Sequence, residues 1–213
     1  MSKWRRTLIG VVFVILTVAV CGLGEETIRI ALDWTPNTNH TGILVARAKG
    51  YFEQEGLAVE VIEAGPGLGV HLAVSGQCEF AVSMQEEITM ARGQGMPIVS
   101  VAAIYPHNTS GFAAEASLGV DTPAAFVGLR YGGWGQDFER AMIRTVMELH
   151  EANDDEVTMV DLGMLDFATA LQRGFADFFW IFYGWQGIQA ELLGIEISYL
   201  PLAELSEDLD YYT

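Results

Sequence analysis

Residues 32–42 read Leu-Asp-Trp-Thr-Pro-Asn-Thr-Asn-His-Thr-Gly and gather several chemically useful groups in one stretch. Asp33 brings a carboxylate, Trp34 a large aromatic face, Asn37 and Asn39 two amides and His40 an imidazole. Pro36 fixes its own φ and stiffens the stretch. An indole stacks on a flat ring, and the amides, imidazole and carboxylate can bond the edges of a polar heterocycle. A capped turn around a half-buried Trp would use the same residues, so the stretch alone leaves both readings open. Two further aromatic loops follow: Gly132-Gly133-Trp134-Gly135, and Gly184-Trp185-Gln186-Gly187 with Tyr183 just before it. Asp33 and His40 could be drawn as an acid/base pair, but a seven-residue spacing across a proline loop establishes no catalysis. No Ser-His-Asp order, paired-carboxylate spacing or metal-ligand motif accompanies them, so no metal or cofactor is expected.

The elements that must position these loops are legible from periodicity. The sequence predicts strand 27–32, helix 40–50, strand 57–62, a short helix ending at Ser75, strand 80–83 and helix 85–92. The apolar run 97–104 has the composition of a central parallel strand. The glycine-rich segment 65–69 matches neither a dinucleotide nor a P-loop fingerprint and reads as a turn. Glu86 and Glu87 open a helix, where carboxylates favour the dipole. Residues 105–111 are polar and turn-rich and mark the crossing into a second lobe. There, strands 129–131, 157–161, 177–183 and 195–200 alternate with helices 136–150, 167–173 and 188–193. The fold class is α/β, with two lobes built on mainly parallel sheets. Ligands in open α/β sheets bind at the carboxyl ends of strands, which is where all three aromatic loops fall. Within strand 177–183, Phe178, Phe179 and Phe182 read as core, while Trp180 and Tyr183 lie nearer the end a cleft could use.

The chain has 213 residues, 51% of them hydrophobic, and a formal charge of −17. Without a basic patch to release counterions, nucleic acid is not an expected partner. Residues 1–24 read as a signal peptide: Lys3, Arg5 and Arg6 precede an apolar stretch, Leu8 to Val20, too short for a confident membrane span. Three fates are open to this leader: lipidation at Cys21, plain cleavage, or retention as an anchor. Each places the remainder outside the cytoplasmic membrane, in the periplasm or at the cell surface, touching the membrane only through the leader or a lipid. Losing residues 1–24 removes three positive charges and no acid, taking −17 to −20. Cys78, the other cysteine, reads as a buried free thiol.

Taken together, Asp33-Trp34-Thr35-Pro36-Asn37, His40-Thr41-Gly42, Ala48-Lys49-Gly50-Tyr51-Phe52 and Glu55-Gly56-Leu57 resemble the start of the thiamine-pyrimidine-precursor binding proteins. These are solute-binding components of ABC importers, in a wider family that includes fungal pyrimidine synthases. Ser83 to Glu87, Tyr131 to Gly135 and Trp180 to Trp185 match further motifs of that family, and Asp210 to Thr213 resembles its return to the first lobe. The resemblance implies a periplasmic-binding-protein-like fold, with residues 25–112 a first lobe incomplete at the C-terminus. Residues 113–200 would be the second lobe and 201–213 the start of the return crossing. It implies capture of a small aminopyrimidine, of formylaminopyrimidine or hydroxymethylpyrimidine type, by hinge closure, and delivery to ABC permease and ATPase subunits. The implied ligand-binding residues are Asp33, Trp34, Asn37, His40, Gln85, Glu86, Trp134, Tyr183 and Trp185. Two alternatives stand beside this reading: a pyrimidine synthase-like enzyme, and the same fold binding a sulfonate or taurine-like solute. The enzyme reading lacks the cysteine-rich iron motif of the fungal relatives, and the candidate loops carry no Arg or Lys for a sulfonate.

Overall fold

The computed structural model describes residues 26–211; the expected leader and Cys21 lie outside the described residues. Strand β1 (Glu26–Leu32) is central to the first sheet, which has the order β2-β1-β3, with β2 (Leu57–Glu63) and β3 (Phe80–Ala81) both parallel to it. Its alternating Ile28, Ile30 and Leu32 suit a pleated surface. Helices α1 (Thr41–Ala48), α2 (Tyr51–Gln54), α3 (Leu68–Val74) and α4 (Gln85–Gly93) make the crossovers that parallel pairing demands.

The second sheet has five strands: β4 (Ser110–Glu115), β5 (Arg130–Gly133), β6 (Thr158–Asp161), β7 (Phe178–Phe182) and β8 (Ile197–Pro201), ordered β6-β5-β7-β4-β8. All run the same way except β4, which is antiparallel to both its neighbours. Helices α5 (Asp137–Leu149), α6 (Phe167–Gln172), α7 (Ile188–Leu193) and α8 (Leu202–Leu205) accompany it. The sheet is mainly parallel with both faces covered, as expected.

Its core follows the parity of β7. Phe178 and Trp180 point into one cluster with Phe112, Phe126, Tyr131 and the buried stripe of α5; Phe179 and Ile181 point the other way, onto Phe167, Ala170 and Leu171. The α5 stripe, Phe138, Met142, Ile143, Val146 and Met147, recurs at helical spacing. Each such side chain stabilises by about 1.5–3 kcal/mol when buried. Phe126 stacks on Phe178 with centroids 4.1 Å apart.

Two expectations need correction. The run 97–104 is not a strand: it has no ladder partner among the described residues. A β-like composition cannot make a strand without a neighbouring edge to bond. Conversely, residues 110 and 111 are not crossing loop but the start of β4, the inner antiparallel strand. Its Gly-Phe-Ala-Ala run is poor in β-branched residues and gives little strand signal. The small residues are needed there because a Cβ on Gly111 would lie 2.4 Å from the Leu200 carbonyl.

Candidate ligand cleft

The loop after β1 is built around a local network. Asn37 caps the 3₁₀ turn Thr38–His40, its Oδ1 accepting the Asn39 N–H at 2.8 Å while its Nδ2 donates to the Thr35 carbonyl at 3.0 Å. The Asn37 N–H donates to His40 Nδ1 at 3.2 Å, so Nδ1 is the acceptor and Nε2 carries the proton. Nε2 then donates to Asp33 Oδ1 at 2.7 Å. His40 is 1% exposed. It lies behind Asp33, with both ring nitrogens engaged, rather than lining the cleft. Its effect is to hold Asp33 in one rotamer with Oδ2 left over.

In front of this support stand three indoles. Trp34 lies 6.3 Å from Trp134 and 6.3 Å from Trp185, tilted 60° and 65° to them. Trp134 rests on Trp180 at 5.6 Å and on Phe182 at 6.4 Å. Asp33, Trp34, Asn37, Asn39, Met84 and Pro66 face Trp134, Phe182, Trp185 and Gln186 across a residual space of about 20 Å³. The indoles thus fill the gap between the two sheets, and a ring can enter only if they separate.

Trp134 is fixed through its backbone. Glu139 on α5 is 1% exposed, and its carboxylate accepts from Trp134 N–H at 3.0 Å, Gln136 N–H at 2.7 Å and Tyr131 Oη at 2.6 Å. Burial, with the Glu139 charge beside it, pushes the Tyr131 phenol well above its ordinary range, so it stays a donor. The loop can sit this close because residue 133 is glycine; a Cβ there would lie 2.5 Å from Glu139 Oε2.

The last aromatic loop breaks the parity of β7. Phe182, on the same face as Phe178 and Trp180, packs on that core as expected and also borders the cleft, and Tyr183 therefore faces away, packing on Tyr199 at 4.9 Å and donating its hydroxyl to Glu191. A π-turn over Tyr183–Gly187 then adds a residue to the turn and brings Trp185 back to Trp34. Gln186 Oε1 secures this bend by accepting the Phe182 N–H at 2.8 Å. Trp180 is core, its indole donating to Ser110 Oγ at 2.8 Å.

On α4, Gln85 lines no part of the cleft. Glu86 accepts the Tyr211 hydroxyl, and its Oε2 is buried with no partner among the described residues. Glu87, which the sequence suggested only as a helix cap, ties the glycine-rich turn in place: it accepts Gly67 N–H at 3.0 Å and Ser83 Oγ–H at 2.6 Å. Burial pushes its carboxyl above the usual range. The structure thus brings together Asp33, Trp34, Asn37, Trp134 and Trp185, with His40 in support. It leaves Gln85, Glu86 and Tyr183 outside the aromatic pocket, and adds Phe182, Met84 and Pro66.

Two mainly parallel sheets with an aromatic-lined cleft between them define a class. Solved structures of the same fold include the periplasmic aliphatic sulphonate binding protein SsuA from Escherichia coli, with TM-score 0.63 and 16% identity, covering 88% of this chain and 60% of that one. The alkanesulfonate-binding protein SsuA from Xanthomonas axonopodis pv. citri gives TM-score 0.63 at 14% identity over 82% and 60%. The fold is that of the periplasmic binding proteins.

Within that class, residues 37–213 match the family described as NMT1/THI5 like, and the chain belongs to it. A formylaminopyrimidine-binding protein of Halalkalibacterium halodurans is 34% identical over 71% of this chain and 46% of its own length. A 4-amino-5-hydroxymethyl-2-methylpyrimidine phosphate synthase of Legionella pneumophila is 26% identical over 85% of this chain and 57% of its own. The chain spans about half the length of the curated relatives it matches.

Proposed function

We propose that this chain is the extracytoplasmic substrate-binding component of an ABC importer and captures a formylaminopyrimidine- or hydroxymethylpyrimidine-type precursor of thiamine. The observation that carries this reading is the slot itself: three indoles from both sheets, with a carboxylate held at its edge. A flat aminopyrimidine ring would insert between Trp34 on one side and Trp134 or Trp185 on the other. Base–aromatic stacking of this kind stabilises by about 1–3 kcal/mol per ring. The exocyclic amine would donate to Asp33 Oδ2, since Oδ1 is taken by His40. A desolvated acceptor of that kind discriminates against analogues lacking the amine, because it is then left unpaired. No Lys or Arg lines the slot, which disfavours a sulfonate.

Binding would follow an open–close cycle. The indoles belong to different sheets, so separating the sheets opens the slot and closing them on the ring restores the packing. Permease and ATPase subunits are the partners this role requires, and the periplasm or cell surface is its location. No helix among the described residues is long and apolar enough to cross a membrane.

The reading is tested by titration calorimetry with a formylaminopyrimidine beside taurine and an alkanesulfonate. Selective heat with the pyrimidine is the expected result; equal or greater affinity for the sulfonate overturns the assignment. A second reading, pyrimidine synthesis, is favoured by relatives named as synthases in Legionella pneumophila and Saccharomyces cerevisiae. Appearance of a pyrimidine phosphate product on incubation with candidate precursors would select it.

A further inference from the structure

Gln186 follows Trp185 in the π-turn and is 6% exposed, a buried amide in the wall of the indole slot. Its two ends do different things. Oε1 accepts the Phe182 N–H at 2.8 Å. Only the oxygen of an amide can meet an N–H, so the side chain has one orientation and Nε2 is its other end. Nε2 carries two N–H donors, and among the described residues no group accepts from either. Holding the bend requires an acceptor alone. The donors are left over, and a buried donor without a partner is costly.

Apart from the indoles, the other polar side chains of the slot leave a donor role open. Asn37 is engaged at both ends of its amide, by the Asn39 N–H and the Thr35 carbonyl. Asp33 can only accept when ionised, and His40 holds its Oδ1. Asn39 borders the slot, but among the described residues nothing bonds its amide and fixes which end turns inward. Gln186 is the amide whose donor end is set in advance by the fold. The slot therefore has an acceptor held from the first sheet, Asp33 Oδ2, and a donor held from the second, Gln186 Nε2.

We propose that Gln186 is a specificity-determining residue of this slot: its Nε2 donates to a lone-pair nitrogen in the ligand's ring while Asp33 accepts from the ring's amine. This rests on the aminopyrimidine reading above and adds the group that reads the ring itself. Indoles stack on any flat ring, and Asp33 takes any amine, so neither tells an aminopyrimidine from an aniline. Gln186 does, because a C–H or N–H at that ring position leaves its donor unpaired in a desolvated slot. It also ties recognition to closure. The turn that carries Trp185 aims the amide too, so one stacking face and the donor arrive from the second sheet together. Asp33 arrives from the first, and both ends of the ring are read only when the sheets meet.

The test is titration calorimetry on the full chain, wild type and Gln186→Glu. Each is titrated with a hydroxymethyl aminopyrimidine and with its aniline analogue, which keeps ring, amine and hydroxymethyl group but has C–H at both ring-nitrogen positions. Mildly alkaline pH keeps both probes neutral and the introduced carboxylate ionised. The Glu side chain retains an oxygen for the Phe182 N–H, which hydrogen exchange at that amide verifies, and removes the donors. Wild type should bind the pyrimidine about tenfold more tightly than the aniline analogue, the effect of one hydrogen bond. The variant should lose at least that factor for the pyrimidine, whose ring lone pair now faces a carboxylate, and lose little for the analogue. Equal losses on both probes, or undiminished pyrimidine affinity, mean that Gln186 only secures the bend; either overturns the proposal and leaves the pyrimidine reading standing. Equal wild-type affinity for the two probes overturns it whether or not the variant folds. If the wild type binds neither probe, the substrate reading itself falls, and the Gln186 role with it.

Discussion

Replacing Glu139 by Gln tests how the second aromatic loop is held. In the native structure one carboxylate takes three donors: Tyr131 Oη at 2.6 Å, Gln136 N–H at 2.7 Å and Trp134 N–H at 3.0 Å. A Gln side chain keeps one acceptor oxygen, which can serve the two backbone donors. Its amide nitrogen then meets the Tyr131 hydroxyl, which can accept but no longer has a partner for its own proton. One buried hydrogen bond is lost and two fall from charge-assisted to neutral strength, at about 1 kcal/mol apiece. The expected loss is therefore about 2–3 kcal/mol of unfolding free energy. For a chain of this size that lowers Tm by about 4–12 °C. Urea denaturation should show a lower midpoint at unchanged m. In a Tyr131→Phe background the cost of Glu139→Gln should shrink by about 1 kcal/mol, because the hydroxyl it stranded is gone. A shift under about 0.5 kcal/mol, or strict additivity with Tyr131→Phe, would refute the account of how this loop is held.

Other outcomes follow from the same geometry. Trp34→Ala should weaken pyrimidine affinity by about 5- to 150-fold, the worth of one stacking face, in calorimetry, whereas Tyr183→Phe, outside the slot, should leave it within about twofold. His40→Ala empties a buried site, leaves the half-buried Asn37 N–H without its acceptor and frees Asp33; it should cost about 2–4 kcal/mol in stability by denaturation and reduce ligand affinity as well. Burial raises Tyr131, Tyr199 and Tyr211 above the ordinary phenol range. The folded state therefore holds these protons after the unfolded chain releases them. Their contribution is intact below about pH 10 and is lost as pH rises beyond it, visible as a steep alkaline limb in Tm against pH. On the acid side, bonds from Arg29 lower Glu79 to about 2. That contribution is present above the usual glutamate range and lost as pH falls through 2, so Glu79→Gln should flatten the acid limb of the same curve.

The parts of the cleft that were legible in the sequence are those set by one local rule. Strand, polar aromatic loop and helix in succession place Trp34 and Trp134 at strand ends, and two sheets turn those ends toward each other. Tyr183 escaped because the alternation of β7 sends odd and even residues to opposite faces, and a π-turn resets the phase before Trp185. Nothing in the letters Tyr-Gly-Trp-Gln-Gly announces five-residue hydrogen bonding. Glu86 and Glu87 are neighbours on a helix and point about 100° apart. Which of them faces the glycine turn depends on how α4 docks, a tertiary fact. His40 was recognised as part of the polar group, but its burial behind Asp33 follows from the 3₁₀ turn that Asn37 caps. The run 97–104 shows the opposite limit: its composition describes a strand, while the strand itself requires an edge to pair with.

The packing of the indoles has an optical consequence. The chain has five tryptophans, and apart from Trp4 in the expected leader they are Trp34, Trp134, Trp180 and Trp185. These four form one chain of neighbouring chromophores, linked at 6.3, 5.6 and 6.3 Å. Transitions so close together mix, and their near-ultraviolet dichroism and emission become properties of the group. Parting Trp34 from the other three would uncouple it from them. The protein therefore carries a built-in spectroscopic gauge of whether its two halves stand apart or together, with no dye to attach and, once Trp4 is replaced, no tryptophan outside the group.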